Sequence, residues 1–355
     1  MTRFTLLLTA FLAAAVPVRA ASPDALYRDE EIAPGVHAVV MLDPLGLANH
    51  SNAVFIVSGD DVILVDTQFT LERTRAVLDR VRAATDKPVG VLINTHWHDD
   101  HTFGNQVIRA ANPKVEIIAH MWTKRDMAEI GVANRKEQVA GAPDALVMFG
   151  ECVKNGKTVD GRDMSPEERT AYESTIAIVN QYLTEMPGFE LTLPTKTFED
   201  QLVLTRGKRT IEIRHLGPAV TEGDAVVWLP AERILITGDI FDSPVPFSYR
   251  CNVGGWVEAL DAIRELDPAI IVPGHGPVLR GLGEVDQLKT LLTSIRDETA
   301  AAVGRGETLD RARAAINMKS FRGQFAGDNA MLGFLFDNFF VGPAVQSAFN
   351  EASAK

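Results

Sequence analysis

The densest group of chemically reactive side chains in this sequence is Thr95-His96-Trp97-His98-Asp99-Asp100-His101. Three imidazoles with neighbouring carboxylates suit a borderline metal such as zinc, which takes nitrogen and oxygen ligands in a compact cage. On a turn, His96 and His98 can face one metal ion while Asp100 and His101 reach a second. A single histidine is more often a structural residue, but four potential ligands so close together predict a metal site.

The segment from Thr95 to His101, which we call the metal segment, directly follows an apolar run, Val89 to Ile93. It precedes a helix-like stretch, Phe103 to Ala111. Similar apolar runs show little alternation, which is typical of strands covered on both faces by helices. These predicted strands are Val36 to Leu42, Ala53 to Val57, Val62 to Val65 and Val115 to Ala119, and a further helix is predicted from Leu71 to Ala84. The pattern indicates an α/β protein.

Two hairpin-like segments resemble each other and each ends in an aspartate. The first runs from Asn52 to Asp66, and the second from Asp224 to Asp239. A duplicated half would give two mixed sheets face to face with helices on both outer faces. The alternative is a chance match, because hairpins are common.

Two regions of the sequence are predicted to be helical additions to this α/β body. The region from about 121 to 186 has a helical, polar pattern and includes Ser165-Pro166-Glu167-Glu168, a helix start with a capping box. The region from about 284 to 355 is a helical extension with several phenylalanines. We expect these rings to pack the extension onto the body; the alternative is a partner surface.

The N-terminus is typical of a secretory signal peptide, residues 1–20, with Arg3 before an apolar run and a small-residue cleavage pattern ending at Ala20. A membrane anchor is the alternative, but the run is shorter than the roughly 20 residues that span a bilayer. We therefore expect a periplasmic or secreted chain of residues 21–355. In that compartment Cys152 and Cys251 can be either bridged or two free thiols.

The net charge is 35 − 47 = −12. Such an acidic surface repels polyanions, so nucleic acid and anionic membranes are poor candidate partners. A small-molecule substrate is the expected partner, and the sequence does not indicate an oligomeric state.

The segment from His96 to His101 carries the signature His-x-His-x-Asp-His, and the sequence resembles the metallo-β-lactamase superfamily from about Ile32 to Leu279. The resemblance implies an αββα sandwich. It also implies that Asp66 braces the metal segment, that Asp239 in Thr237-Gly238-Asp239 bridges two metals, and that His275 is a ligand of the second metal. His120 is expected at the pocket wall or behind the ligands.

One motif departs from the family pattern. Members usually have Gly-x-x-His-Thr-x-Gly-Asp where this chain has Gly217-Pro218-Ala219-Val220-Thr221-Glu222-Gly223-Asp224. Val220 thus stands where the resemblance implies the third histidine of the first metal. We expect one tight zinc site and one weak site. His215 is the alternative ligand, although a structural or pocket role is favoured.

The resemblance implies hydrolysis of an ester, thioester, lactone or β-lactam. Zinc lowers the pKa of a bound water to roughly 7, and Asp100 is expected to orient that water and accept its proton. The rival interpretation is a binding protein with an impaired site, suggested by Val220. A nuclease is disfavoured by the net charge of −12. An iron-dependent sulfur dioxygenase is disfavoured because it would rely on the first metal site, where Val220 stands in place of a histidine.

Overall fold

The computed structural model describes residues 27–42 and 50–354. The expected signal peptide, residues 1–20, lies outside the described residues and stays a prediction. None of the helices in the described ranges combines the length and the apolarity needed to cross a membrane.

The strands of the described residues form two mixed sheets. In the first sheet the strands lie in chain order and are antiparallel up to β4, then parallel up to β7. They are β1 (Tyr27–Ala33), β2 (Val36–Met41), β3 (Ala53–Val57), β4 (Val62–Val65), β5 (Val89–Ile93), β6 (Glu116–His120) and β7 (Lys196–Phe198).

The second sheet has the order β12-β11-β10-β9-β8. Its strands are antiparallel except for β11 and β12, which are parallel. They are β8 (Gln201–Arg206), β9 (Arg209–His215), β10 (Ala225–Leu229), β11 (Ile234–Gly238) and β12 (Ile270–Pro273).

Helices cover the outer face of each sheet, and others form the two additions. In chain order the helices are α1 (Leu71–Ala84), α2 (Asp99–Thr102), α3 (Asn105–Ala111), α4 (Met121–Ala128), α5 (Ile130–Asn155), α6 (Pro166–Glu185), α7 (Val253–Leu266), α8 (Gly283–Gly304), α9 (Leu309–Ala315), α10 (Lys319–Ala326), α11 (Ala330–Leu335) and α12 (Gly342–Ser353). A 3₁₀ turn, Met186–Gly188, follows α6, and a π-helical turn, Phe336–Val341, separates α11 from α12.

The two sheets pack face to face, which confirms the predicted αββα sandwich. Successive side chains of a strand point to opposite faces. In β5, Ile93 faces the layer between the sheets while Leu92 faces the helices α1 and α3. Both are fully buried, so the run shows no polar alternation.

The two similar hairpins of the sequence occupy corresponding places in the two sheets. The antiparallel pair β3–β4 is followed by α1 and the parallel strand β5, and the pair β10–β11 is followed by α7 and the parallel strand β12. The aspartates at the hairpin ends, Asp66 and Asp239, therefore lie at corresponding strand ends. The repeated topology agrees with a duplicated half.

The predicted helical insertion is formed by α4, α5 and α6, between β6 and β7. Ser165 caps α6 with the predicted capping box to Glu168. Tyr182 of α6 stacks on Phe69 beside α1 at 4.7 Å between ring centroids. The Glu185 carboxylate accepts hydrogen bonds from the backbone N–H of Leu71 at 2.6 Å and of the residue after it. The insertion is thus packed on the first sheet's helical layer.

The C-terminal extension, α8 to α12, packs outside the second sheet together with α7. Phe336 and Phe340 are fully buried there beside Trp256, so part of the phenylalanine-rich tail fixes the extension to the body as expected. Cys152 and Cys251 are both free thiols. The bridge that the sequence left open is therefore not formed.

Candidate metal centre

The metal segment lies in the loop between β5 and α2, and Asp66 holds it in place. The Asp66 carboxylate accepts hydrogen bonds from the Thr95 backbone N–H at 2.8 Å and from the Thr95 hydroxyl at 2.7 Å. Its Oδ2 also lies 2.8 Å from Nδ1 of His101. Because Nδ1 is engaged, Nε2 of His101 points towards the centre of the cluster. Through these contacts Asp66, directly after β4, holds Thr95 and His101 of the metal segment in place.

His96, His98 and Asp239 form the first group of potential metal ligands, with ligand atoms within 4.8 Å of one another. Oδ2 of Asp239 lies 3.2 Å from Nε2 of His96 and 3.7 Å from Nδ1 of His98. These distances leave room for one cation among two imidazoles and a carboxylate.

Asp100, His101 and His275 form the second group, within the same 4.8 Å limit. Oδ2 of Asp100 lies 3.3 Å from Nε2 of His101 and 3.0 Å from Nε2 of His275. Oδ1 of Asp239 lies 3.0 Å from Nε2 of His101. The two oxygens of Asp239 thus face the two different groups of potential ligands.

Close backbone approach brings Asp239 and His275 to the metal segment. A Cβ on Gly274 would lie 2.0 Å from Oδ1 of Asp239, and a Cβ on Gly238, whose φ is +52°, would lie 2.6 Å from the Thr95 hydroxyl. No larger residue fits at either place without displacing a ligand or its support. Asn52 fixes the loop of His275 by donating from Nδ2 to the carbonyls of Pro273 at 2.9 Å and Gly276 at 2.8 Å.

The electrostatics of the cluster fit a bound cation. Burial lowers the pKa of His275, but Asp239 and Asp100 outweigh burial and raise it to about 10. Burial also lowers the pKa of His101, but Asp239 and Asp100 outweigh burial and raise this pKa well above its usual range. The carboxylates thus concentrate negative charge around these two imidazoles, and a divalent cation would offset that charge.

Unpaired buried atoms give a second test of fit. Nε2 of His96, Nε2 of His101 and Oδ1 of Asp239 are buried and have no hydrogen-bond partner of good geometry. An unpaired buried polar atom costs about 1–3 kcal/mol. Nε2 of His96 belongs to the first group of potential ligands, whereas Nε2 of His101 and Oδ1 of Asp239 lie 3.0 Å apart at the second. Cations held by the two groups would satisfy these atoms.

The amino-acid sequence also matches a family of known proteins. The model of the metallo-beta-lactamase superfamily matches residues 47–275, which is more than half of the chain. The chain belongs to the metallo-β-lactamase superfamily. Members of this superfamily bind metal ions, and the two His/Asp groups described above lie within the matched region.

Relatives of known structure share the superfamily fold. A metallo-β-lactamase from Pontibacter korlensis has a TM-score of 0.50 and 17% identity, covering 75% of this chain and 99% of that chain. A double mutant of the sec-alkyl sulfatase PisA1 has a TM-score of 0.61 and 15% identity, covering 92% of this chain and 50% of that chain. At these identities the likeness shows the fold alone.

Among curated proteins, a linear primary-alkylsulfatase from Pseudomonas sp. (strain ATCC 19151) is 23% identical over 278 residues. The match covers 72% of this chain but only 48% of that protein. The chain therefore spans about half the length of this curated relative.

Val220 lies in the turn of residues 217–224, and the Asp224 side chain closes this turn. One oxygen of Asp224 accepts hydrogen bonds from the backbone N–H of Ala219 at 3.1 Å and of Thr221 at 2.7 Å. Val220 itself is buried and packs in the apolar layer between the second sheet and α7. The side chain of Val220 thus contributes apolar packing and no metal-binding atom.

His215 and His120, which the sequence placed near the site, pair with each other. Their rings stack at 4.0 Å between centroids, and Nδ1 of His215 lies 2.8 Å from the Asp224 carbonyl oxygen. Burial, followed by the neighbouring His215, lowers the pKa of His120 to about 4. Within the described residues, neither histidine belongs to a group of potential metal ligands.

Sequence reasoning missed two acidic side chains beside the superfamily motif. Asp242 joins Asp239 and His275 in a third group of potential ligands and accepts a hydrogen bond from the His275 backbone N–H at 3.0 Å. Asp99, inside the motif, pairs with Arg135 of α5, and both side chains are buried. The acidic doublet Asp99-Asp100 was visible in the sequence, but the partner of Asp99 lies 36 positions away.

Proposed function

We propose that this protein is an exported zinc-dependent hydrolase that cleaves an ester, thioester, lactone or β-lactam bond. The observation that carries the proposal is the bridging position of Asp239 between the group of His96 and His98 and the group of Asp100, His101 and His275. Membership of the metallo-β-lactamase superfamily, which includes metal-dependent hydrolases of small molecules, supports it.

His96, His98, Asp100, His101, Asp239 and His275 would hold the metal. When bound, zinc makes water a nucleophile at neutral pH and polarises the bond to be cleaved. His101 and His96 are the deepest ligands, with no exposed side-chain surface, so their role is to retain the cation.

The substrate would enter over the ligands that reach solvent. The exposed side-chain fractions of His98, Asp100 and His275 are 17%, 14% and 26%, whereas that of Asp239 is 4%. Burial works to raise the pKa of Asp100, but His101 and His275 hold it well below its usual range. Asp100 is therefore ionised at neutral pH and can orient water by accepting its hydrogen bond.

A sulfate ester is the second candidate substrate. The observation that favours it is the curated relative, a linear primary-alkylsulfatase that matches 72% of this chain. Hydrolysis of a sulfate ester and of a carboxylic ester would use the same residues, so only the substrate distinguishes the two candidates.

The test is a substrate panel on protein purified without added zinc, then chelated, then reloaded with zinc. The panel contains p-nitrophenyl acetate, a thioester, a lactone, nitrocefin and p-nitrophenyl sulfate. We expect turnover of at least one class that is lost on chelation and restored by zinc. Metal-containing protein that turns over no member, or protein that holds no metal, would favour the rival binding protein.

Export is tested separately by intact-mass measurement after expression in a Gram-negative host. We expect a mature chain that begins near Ala21 in the exported fraction, because the apolar run after Arg3 ends in a cleavable site. An unprocessed product in the cytoplasm would contradict this part of the proposal.

A further inference from the structure

Three exposed aromatic side chains lie together beside the metal centre. Phe247, Tyr249 and Phe339 have exposed fractions of 40%, 48% and 37%. The ring centroids of Phe247 and Tyr249 are 4.9 Å apart and stacked, and Phe339 lies 6.5 Å from Phe247 and 6.2 Å from Tyr249. We call these three residues the aromatic surface.

The aromatic surface is continuous with the site. The ring of Phe247 lies 6.3 Å from the ring of His98, in an edge-to-face arrangement. His98 is one of the ligands that reach solvent. A molecule bound with its reactive bond over His98 would therefore extend directly onto Phe247.

Two different parts of the fold build this surface, and Ser248 joins them. Phe247 and Tyr249 flank Ser248 in the segment after β11, while Phe339 lies in the π-helical turn of the C-terminal extension. The buried Ser248 donates from its backbone N–H to the Phe339 carbonyl at 3.2 Å and from its hydroxyl to the Phe340 carbonyl at 2.6 Å. These bonds fix the three rings in place before any ligand arrives.

The exposure of these rings is not a packing requirement of the extension. Phe336 and Phe340, in the same π-helical turn, are fully buried and already join the extension to the body. A π-helical turn often occurs at functional sites, because its irregular geometry turns a side chain in a direction that an α-helix would not. Contiguous exposed apolar rings mark a binding surface.

We propose that Phe247, Tyr249 and Phe339 bind the apolar part of the substrate, an aliphatic chain or an aromatic group attached to the bond that is cleaved at the metal centre. This inference rests on the proposed function for the reactive end and names the class of substrate. The patch consists of three rings next to a metal ligand, which fits one small molecule better than a membrane or a protein partner.

The test measures binding, not turnover, with linear carboxylates as probes. Butanoate, hexanoate, octanoate and decanoate are titrated into the zinc-loaded full chain by calorimetry. Each added methylene that reaches the aromatic surface should lower the dissociation constant by up to about four-fold. The carboxylate end, held at the metal centre, is common to all four probes.

The double variant Phe247→Ala/Phe339→Ala should lose the gain in affinity with chain length that the unmodified protein shows. Zinc content should be unchanged, since neither ring is a ligand. Phe247→Leu/Phe339→Leu keeps apolar area and should keep most of the gain. Val203→Ala, at an exposed apolar position on β8, is the control and should change nothing.

Equal binding of all four carboxylates to the unmodified protein would overturn the inference, as would a chain-length gain that survives in the double alanine variant. Binding to phosphatidylcholine vesicles, or a dimer that dissociates in the double alanine variant, without a chain-length gain would assign the surface to a membrane or a second copy instead. If the gain is present but no member of the substrate panel is hydrolysed, the aromatic surface stands and the proposed function fails.

Discussion

Position 220 determines how many nitrogen ligands the first metal can have. The structure places the buried Val220 in an apolar layer and leaves His96, His98 and Asp239 as the ligands of that group. Zinc prefers four donors, so a group of three, one of them shared with the second group, predicts weak binding.

We predict that the purified protein holds close to one zinc ion per chain, and that Val220→His raises the content towards two. Elemental analysis of both proteins after the same exposure to a chelator is the measurement. Val220→Ala, which adds no ligand, is the matched control and should stay near one. Two tightly held ions in the unmodified protein would contradict the prediction, and loss of one of them in His215→Ala would show that His215 supplies the missing ligand.

We predict that substitution of Asp100 or His275, in the second group, removes bound zinc and hydrolytic activity. Asp100→Ala or His275→Ala removes one potential ligand of this group together with its 3.0 Å contact to the other. We expect most of the bound zinc and of the hydrolytic activity to disappear together, a loss of about 10-fold or more in metal affinity. Asp60→Ala, on an exposed turn, should keep both. Wild-type zinc content in either site variant would show that the assignment of the second group is wrong.

The residues of the metal segment were predictable because four of the potential ligands are close in sequence and follow one strand. Asp239 and His275 were placed only through the resemblance to the superfamily, since their approach depends on the glycines at 238 and 274. Arg135 gave no signal at all. A lone arginine in a polar helix is normally solvated, and only the tertiary structure brings it to Asp99.

At the scale of elements, the helical insertion is joined to the metal segment by one buried ion pair. Burial raises the pKa of Asp99 to about 7, and the guanidinium of Arg135 acts against that rise. Arg135 also lies over the ring of Phe189, 4.8 Å from its centroid, at the end of the insertion. The position of α5 therefore affects the segment that carries the ligands.

We predict that Arg135→Met destabilises the protein by about 3–5 kcal/mol, because it leaves Asp99 buried without a partner. Arg135→Met/Asp99→Asn should recover much of that loss. Chemical denaturation of both variants, with zinc content measured in parallel, is the test. The exposed pair Lys154–Glu151 is the control, and Lys154→Met should cost no more than about 0.5 kcal/mol. An equally small effect of Arg135→Met would mean that the insertion is not held through this pair.

Strands and helices with strong apolar patterns were predicted with the correct bounds, whereas a strand without such a pattern was missed. The bounds of β3, β4, β5 and α1 agree with the sequence prediction. The edge strand β1, Tyr-Arg-Asp-Glu-Glu-Ile-Ala, was missed because its charged residues, exposed or partly exposed, give no such pattern. The aromatic surface was missed because the π-helical turn puts Phe339 outside while Phe336 and Phe340 are inside, a choice that periodicity does not reveal.

At the scale of the whole molecule, both sheets contribute residues to the candidate metal centre. His96, His98, Asp100 and His101 follow β5 of the first sheet, whereas Asp239 and His275 follow β11 and β12 of the second. A ligand that binds only the folded state stabilises it by mass action, about 2.7 kcal/mol at 100 times its dissociation constant.

We therefore predict that zinc raises the melting temperature of chelator-treated protein by several degrees. Differential scanning calorimetry at increasing zinc concentration measures the shift. Asp239→Ala should remove most of the shift, because this carboxylate faces both groups, and magnesium should not replace zinc in the unmodified protein. A melting temperature that does not depend on zinc would show that the sheets pack equally well without the metal.

The placement of the insertion has a consequence for the continuity of the polypeptide. Residues 156–165, between α5 and α6, contribute none of the ligands, and most of their side chains are partly or fully exposed. A protease that cuts there would separate the chain into one fragment with the ligands of the first sheet and another with Asp239 and His275. Neither fragment would then carry a complete centre. The nicked halves would stay associated through the packing of the two sheets, and a bound zinc ion would add a link between them.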